Sequence, residues 1–282
     1  MGIIKKIRKY MGSYIAWIAL TILAIFILFS LFAPLLTAYK PNDQNLMERL
    51  KPPAWVNGGT LRHILGTDEL GRDIYTRLVY GSRTSMSVGV LAALLSGGIG
   101  ITLGLLSGYF PKADGVIMRV ADIQLAFPSI LLALSIVAVL GGGFMKLILV
   151  LGITAWVSYA RVIRSEVLSI KTSDYILAAQ TVGVGETRIM VKHIFPNIIA
   201  RAVTISTFQV ATAIIAESSL SFLGLGIPPT IPTWGNMLYA GQLYMNSAWW
   251  ISLFPGICIM LVVLSINLLG DVLRDYLAPK SR

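Results

Sequence analysis

Charged residues are sparse enough along this chain to divide it into long apolar stretches. None lies between Lys9 and Lys40, Arg83 and Lys112, Asp122 and Lys146, Lys146 and Arg161, Arg201 and Glu217, or Glu217 and Asp271. A helix needs about 20 apolar residues to cross the hydrocarbon core of a bilayer. Six spans fit the pattern: 14–36, 84–108, 119–140, 146–163, 199–222 and 250–270. The last uncharged interval is too long for one helix. Its first half, Gly224 to Trp250, is rich in Gly, Pro and aromatic residues and reads as an outer loop. The expected fold is all-α and integral to the membrane, with six transmembrane helices.

Composition strengthens that reading. The 282 residues are 56% hydrophobic and 13% charged, about half the charged share of a soluble domain. Too little polar surface remains to cover a globule in water. A net charge of +10 would suggest nucleic acid in a soluble protein. Here it belongs to basic loops on the cytoplasmic face, and no nucleic-acid partner is expected; the bilayer is the partner this composition demands. The opening MGIIKKIRKY is basic, and the apolar run after it outlasts a signal-peptide core. It reads as a retained signal anchor with the N-terminus inside. The inner segments 1–13, 109–119, 161–201 and 271–282 then hold most of the Lys and Arg, although the first outer loop is itself basic. Six spans return the C-terminus inside, so both termini are cytoplasmic. The chain divides into residues 1–80 (tail, first span and outer loop), 81–271 (main transmembrane domain) and 272–282 (tail).

Local features refine the bundle. Ala92, Ser96, Gly100, Gly104 and Gly108 form a stripe of small residues at spacing four, which lets helices approach closely; packing within the subunit is favoured over contact with a partner. Pro128 and Pro255 should kink or start helices, and Gly141 to Gly143 should make a tight outer turn. Arg119 and Asp122 are placed to pair along one helix face. Trp234, Trp249 and Trp250 suggest an aromatic belt at the outer interface. GTDELGRD, with Asp68, Glu69 and Asp73 among bases, reads as a solvated or self-paired loop. Cys258, the only cysteine, reads as a small apolar filler. Glu217 sits near the outer end of the fifth span. It is a candidate pathway or gate residue, with a solvated or paired anchoring acid as the favoured alternative.

The most informative stretch is polar and lies between the fourth and fifth spans. Ser173 or Asp174 can cap a helix over Tyr175–Val182, in which Ala178 and Ala179 supply propensity. Gly183 is placed to end it in the left-handed conformation, just before Val184. A second helix, Glu186 to His193, carries its acid first and its bases last, and Pro196 breaks the pattern before the fifth span. A short helix, a glycine corner and a helix leading into the bilayer make a lever that a partner could grip.

This loop resembles the signature loop of ATP-binding-cassette (ABC) transporter permeases: Glu-Ala-Ala, three residues, Gly, nine residues, Ile, one residue, Leu-Pro. The chain matches at Ala178, Ala179, Gly183 and Pro196, with Phe195 for the leucine, His193 for the isoleucine and Leu177 for the glutamate. HIFPN is close to the His-Ile-Leu-Pro-Asn of peptide and nickel permeases. The blocks Leu65–Gly89, Arg119–Leu134, Glu217–Leu238 and Asn267–Pro279 are similar to corresponding parts of that subfamily. The extra first span and long outer loop resemble the C-type member of the oligopeptide and dipeptide permease pair. The resemblance implies a type I permease fold in a prokaryotic cell membrane, with the ABC transmembrane domain over 81–271. It implies an ATPase-docking coupling helix formed by Asp174, Tyr175, Ala178, Ala179, Gly183, Val184 and Pro196. The implied partners are a homologous permease, two cytoplasmic ATPases carrying ATP and Mg, and an extracytoplasmic substrate-binding protein. Di- and oligopeptides are the implied cargo, with nickel or glutathione as alternatives.

The sequence holds no G-x-x-x-x-G-K-[ST] phosphate loop, HExxH or G-x-S-x-G motif, so no catalytic residues, no metal site and no cofactor of its own are expected. An intramembrane enzyme would need paired catalytic groups at membrane depth. An ion-coupled stand-alone transporter would need several ionisable residues within its spans and internal repeats.

Overall fold

The computed structural model describes residues 14–277. The basic N-terminal segment and the end of the C-terminal tail (Ala278 to Arg282) lie outside the described residues. Helix α1 spans Tyr14–Leu36, at the expected bounds. Its surface is mostly exposed, with Ala16, Ala19, Phe26 and Ala33 turned inward. Its path bends at Phe32 (φ −105°, ψ 19°), two residues before Pro34, whose ring cannot sit over an undistorted preceding turn.

Helix α2, Ile74–Tyr109, starts ten residues before the expected 84 because Arg77 and Arg83 lie inside it rather than bounding it. Asp73 caps it by accepting from Thr76 N at 2.8 Å. The small-residue stripe faces α5, Phe144–Lys171. A Cβ on Gly100 would lie 2.4 Å from Trp156 O, and one on Gly104 2.7 Å from Ala160 O. The stripe therefore serves packing inside the subunit.

The expected third span, 119–140, is two helices, α3 (Pro111–Leu125) and α4 (Ser129–Leu140), bent by 86°. Pro128 disfavours helical geometry at Phe127. Gln124 fixes the end of α3 by donating to Thr154 O at 2.7 Å and accepting from Trp156 Nε1 at 2.8 Å. The expected inner loop 109–119 is largely helix. Asp122 pairs with Arg161 at 2.5 Å rather than with Arg119, and Asp114 takes Arg164 at 2.5 Å. Both arginines belong to α5, which runs to Lys171, eight residues beyond the expected 163. Gly141 and Gly143 turn the chain at positive φ, as expected. Lys146 Nζ donates to Leu140 O at 2.6 Å, satisfying a carbonyl at the end of α4.

Helices α6 (Asp174–Thr181), α7 (Glu186–Ile189) and α8 (Phe195–Phe222) follow. A π-turn over Met190–Ile194 joins the last two, giving one helical run from Glu186 to Phe222. Pro196 thus does not break the chain. The wider π-turn gives room to a ring that would clash with the carbonyl four residues back. The expected outer loop after Gly224 contains α9, Trp234–Gly241, before α10, Trp250–Leu277. Among the described residues, five helices are long and apolar enough to cross a membrane, six if the bent pair α3–α4 counts as one span.

The largest core cluster joins α1, α2, α8, α9 and α10 around Trp234, with Phe26, Ile74, Leu78 and Ile214. Trp234 is fully buried and donates Nε1–H to Leu78 O at 3.1 Å; Trp250 donates to Thr67 O at 3.0 Å. These two are core residues rather than an interface belt, and of the three expected belt residues Trp249 alone is exposed.

Residues 37–73 and 224–249 lie at one end of the bundle, tied by Asn42 Nδ2 donating to Thr230 O at 2.8 Å. The first of these loops is folded rather than solvated. Asp68 accepts from the backbone of Leu70 and Arg72 and from Arg72 Nε at 2.6 Å, while Arg77 lies 3.6 Å away. His63 sits between Asp73 and Glu48, at 2.9 and 3.1 Å, and its hydrogen bond holds the Glu48 carboxyl below the usual carboxylate range. The reading of these charges as self-paired holds; burial is what the sequence did not reveal.

Candidate functional site

At the opposite end, α6 has one buried side chain, Ile176. Ile176 is fully buried in a cluster with Tyr109, Ile163, Val167, Ile189 and Ile198. Lys171 Nζ, on the last turn of α5, donates to Tyr109 O at 2.7 Å, pinning that helix end to the end of α2. Ser173 occupies the N-cap position, but its hydroxyl donates to Ile170 O. The first turn of α6 is therefore started by the Ser173 carbonyl, which accepts from Ile176 N and Leu177 N. Asp174, in the first turn, suits the helix dipole.

The other end of α6 closes as the glycine predicts. Gly183 has φ +81°. Gly183 N donates to Gln180 O at 2.9 Å and Val184 N to Ala179 O at 3.0 Å. This pair of bonds satisfies the last carbonyls of a helix and requires a left-handed residue between them. Val184 then packs on the Ile176 cluster, which fixes the direction of the corner.

Several large apolar side chains remain exposed beside the polar Asp174, Gln180 and Thr181. Tyr175 and Leu177 are each 48% exposed and Val182 is 83% exposed. Ala178 is exposed beside them, and its small side chain leaves the helix slim. Pro196 is also exposed at the start of α8, where Asn197 Nδ2 donates to His193 O at 2.6 Å and to Tyr175 OH at 3.4 Å. The structure thus gathers Asp174, Tyr175, Ala178, Ala179, Gly183, Val184 and Pro196 into one protruding corner. A polar-ended apolar patch of this kind on a short helix suits docking by another protein.

Glu217 is not part of this corner. It lies on α8 at the other end of the bundle, about 30 Å of helix rise from Phe195. It is fully buried. Its carboxylate accepts from Ser221 Oγ at 2.8 Å, Ser85 Oγ at 3.2 Å and Ser218 Oγ at 3.3 Å. Ser85 in turn accepts from Trp234 N at 3.3 Å. The acid ties α2, α8 and α9 together. No group of three or more potential metal ligands converges among the described residues. Sequence reasoning missed the three serines around Glu217, whose spacing relative to it (217, 218, 221) gives only a local hint.

A family model described as "Binding-protein-dependent transport system inner membrane component" matches residues 100–282, and one described as "N-terminal TM domain of oligopeptide transport permease C" matches residues 7–53. The chain is 43% identical to a di/tripeptide transport system permease protein of Pseudomonas aeruginosa, over 89% of this chain and 83% of that protein. It is 42% identical to a dipeptide transport system permease protein of Alkalihalophilus pseudofirmus (99% and 89%) and 38% identical to an oligopeptide transport system permease protein of Bacillus subtilis (97% and 88%). Its fold is shared with a chain of the methionine ABC transporter MetNI in an inward-facing conformation, at TM-score 0.60 and 18% identity, covering 72% of this chain and 97% of that one. By these matches the chain belongs to the family of binding-protein-dependent transport system inner membrane components, the multi-pass permease subunits of ABC importers.

Proposed function

We propose that the chain forms half of the membrane pathway of an ATP-driven importer of di- and oligopeptides in a prokaryotic inner membrane, with both termini and the α6 corner in the cytoplasm. The observation that carries the reading is α6 itself: a slim helix held by one buried isoleucine, locked by a glycine corner, with Tyr175, Leu177 and Val182 exposed. In this reading α6 docks on one of two cytoplasmic ATPase subunits, which hold the ATP and Mg that this chain does not. ATP-driven closure of the ATPases moves α6, and the continuous helices α5 and α7–α8 pass that motion into the bundle. A homologous permease supplies the other half, and an extracytoplasmic binding protein delivers peptide at the end bearing the 37–73 loop. The chain is a conduit and lever and performs no covalent chemistry.

Uptake of labelled di- and tripeptides, nickel and glutathione in cells lacking only this chain tests the reading. Peptide uptake should disappear and return on complementation. Undiminished peptide uptake contradicts it, and selective loss of nickel or glutathione uptake reassigns the cargo.

A further inference from the structure

A cavity of about 320 Å³ opens between α2, α4, α5 and α8, within the range of small-molecule sites. No charged side chain lines it. Its polar groups are Ser96, Ser129, Thr154, Ser158, Gln209 and Thr212, set among alanines. Several of their donors are already used. Thr154 Oγ1 donates to Val150 O at 2.8 Å, Thr212 Oγ1 to Phe208 O at 3.0 Å, Ser96 Oγ to Ala93 O at 3.2 Å and Gln209 Nε2 to Ala155 O at 3.3 Å. The three hydroxyl oxygens and Gln209 Oε1 keep lone pairs free, so the wall offers hydrogen-bond acceptors without charge. Leu125 and Ser129, on either side of the α3–α4 break, also line it. Interrupted backbone at membrane depth is tolerated where it lines a cavity, and in transporters it marks where solute sits.

We propose that this cavity holds the main chain of the transported peptide through its N–H groups, and that its uncharged wall makes passage indifferent to side-chain charge. The proposal rests on the peptide-importer reading. It assigns this chain a site that tolerates varied sequences because it recognises what all peptides share. A wall that met side chains by charge would need ionisable groups, and this one has none.

The test uses the complete transporter in liposomes, with labelled Ala-Ala-Ala, Ala-Lys-Ala and Ala-Glu-Ala. Ser158, exposed on α5, is replaced as Ser158→Asp and Ser158→Lys. Thr212, exposed on the facing helix α8, is replaced in the same two ways as a second position. Uptake is divided by the wild-type value for each peptide, so that selection by the binding protein cancels. ATPase stimulation by loaded binding protein reports assembly. The aspartates should raise the Ala-Lys-Ala to Ala-Glu-Ala ratio about fivefold and the lysines should lower it about as much, the scale of a charge pair in a wet cavity. Unchanged ratios at both positions, shifts of the same sign for both charges, or equal loss of all three peptides overturn the proposal. A wild-type transporter that imports none of the peptides overturns the peptide-importer reading instead.

Discussion

Replacing Gly183 by alanine isolates the corner that orients α6. The residue has φ +81°, and no atom lies within 4 Å of a Cβ built there. The cost is therefore backbone strain alone, about 1–2 kcal/mol for an L-residue in the left-handed region. That strain falls on the two bonds, Gly183 N to Gln180 O and Val184 N to Ala179 O, that set the corner. If docking requires the corner as formed, affinity for the ATPase subunit should fall about five- to thirtyfold. Gly183→Asn should fall between glycine and alanine, because asparagine tolerates this conformation better. Gly185 supplies the control. It has equal open space but φ −60°, so Gly185→Ala should bind as wild type. The assay is titration of purified ATPase subunit against the detergent-solubilised chain. Wild-type affinity for Gly183→Ala, or an equal loss for Gly185→Ala, would refute the reasoning.

Three further outcomes follow from the structure. Glu217→Ala strands the three serine hydroxyls that its carboxylate accepts, at roughly 1–3 kcal/mol for each buried group left unpaired; it should lower thermal stability in detergent far more than Glu217→Gln, and equal losses contradict the anchoring role. Gly104→Leu drives a side chain into the Ala160 backbone, whereas a Cβ at the exposed Gly98 meets nothing within 4 Å; Gly104→Leu should cost about 1–3 kcal/mol or more and Gly98→Leu almost none in the same unfolding assay, and similar losses contradict the α2–α5 packing. The Glu48 carboxyl is held low by His63, so its contribution is present above the ordinary carboxylate range and is lost as pH falls through a value below that range. Limited proteolysis of the 37–73 loop should therefore show loosening only as pH falls below the ordinary carboxylate range, beginning at higher pH in His63→Ala; identical profiles refute the assignment.

The features legible in the sequence were those set by local physics. Helix α1 lies between Lys9 and Lys40 with no charge to confuse its ends, and its bounds match. Gly183 announced itself because few residues close a helix in the left-handed region. The stripe from Ala92 to Gly108 was read correctly as internal packing. The departures come from tertiary structure. Arg83 looked like a boundary and Arg77 like part of the outer loop, but Asp68 on the folded loop meets Arg77 inside the helix. Trp234 looked interfacial until α9 and the α2 carbonyl of Leu78 enclosed it. Pro196 looked like a stop, and only the π-turn before it shows how the helix continues. Pro128 predicted a kink, but the 86° angle is set by where Gln124 and α5 hold the preceding turn. The cavity was invisible in advance because its polar groups are single hydroxyls and one amide scattered over four helices.

Site-specific crosslinking reads the central claim most directly. With Cys258→Ala removing the only native thiol, Ala178→Cys places one reactive group on the exposed face of α6. In the assembled transporter a short bifunctional reagent should join it to an ATPase subunit, with a yield that changes when ATP is added, and an impermeant thiol reagent outside the cell should not reach it. Labelling from outside, or no crosslink in an actively importing preparation, would contradict the account.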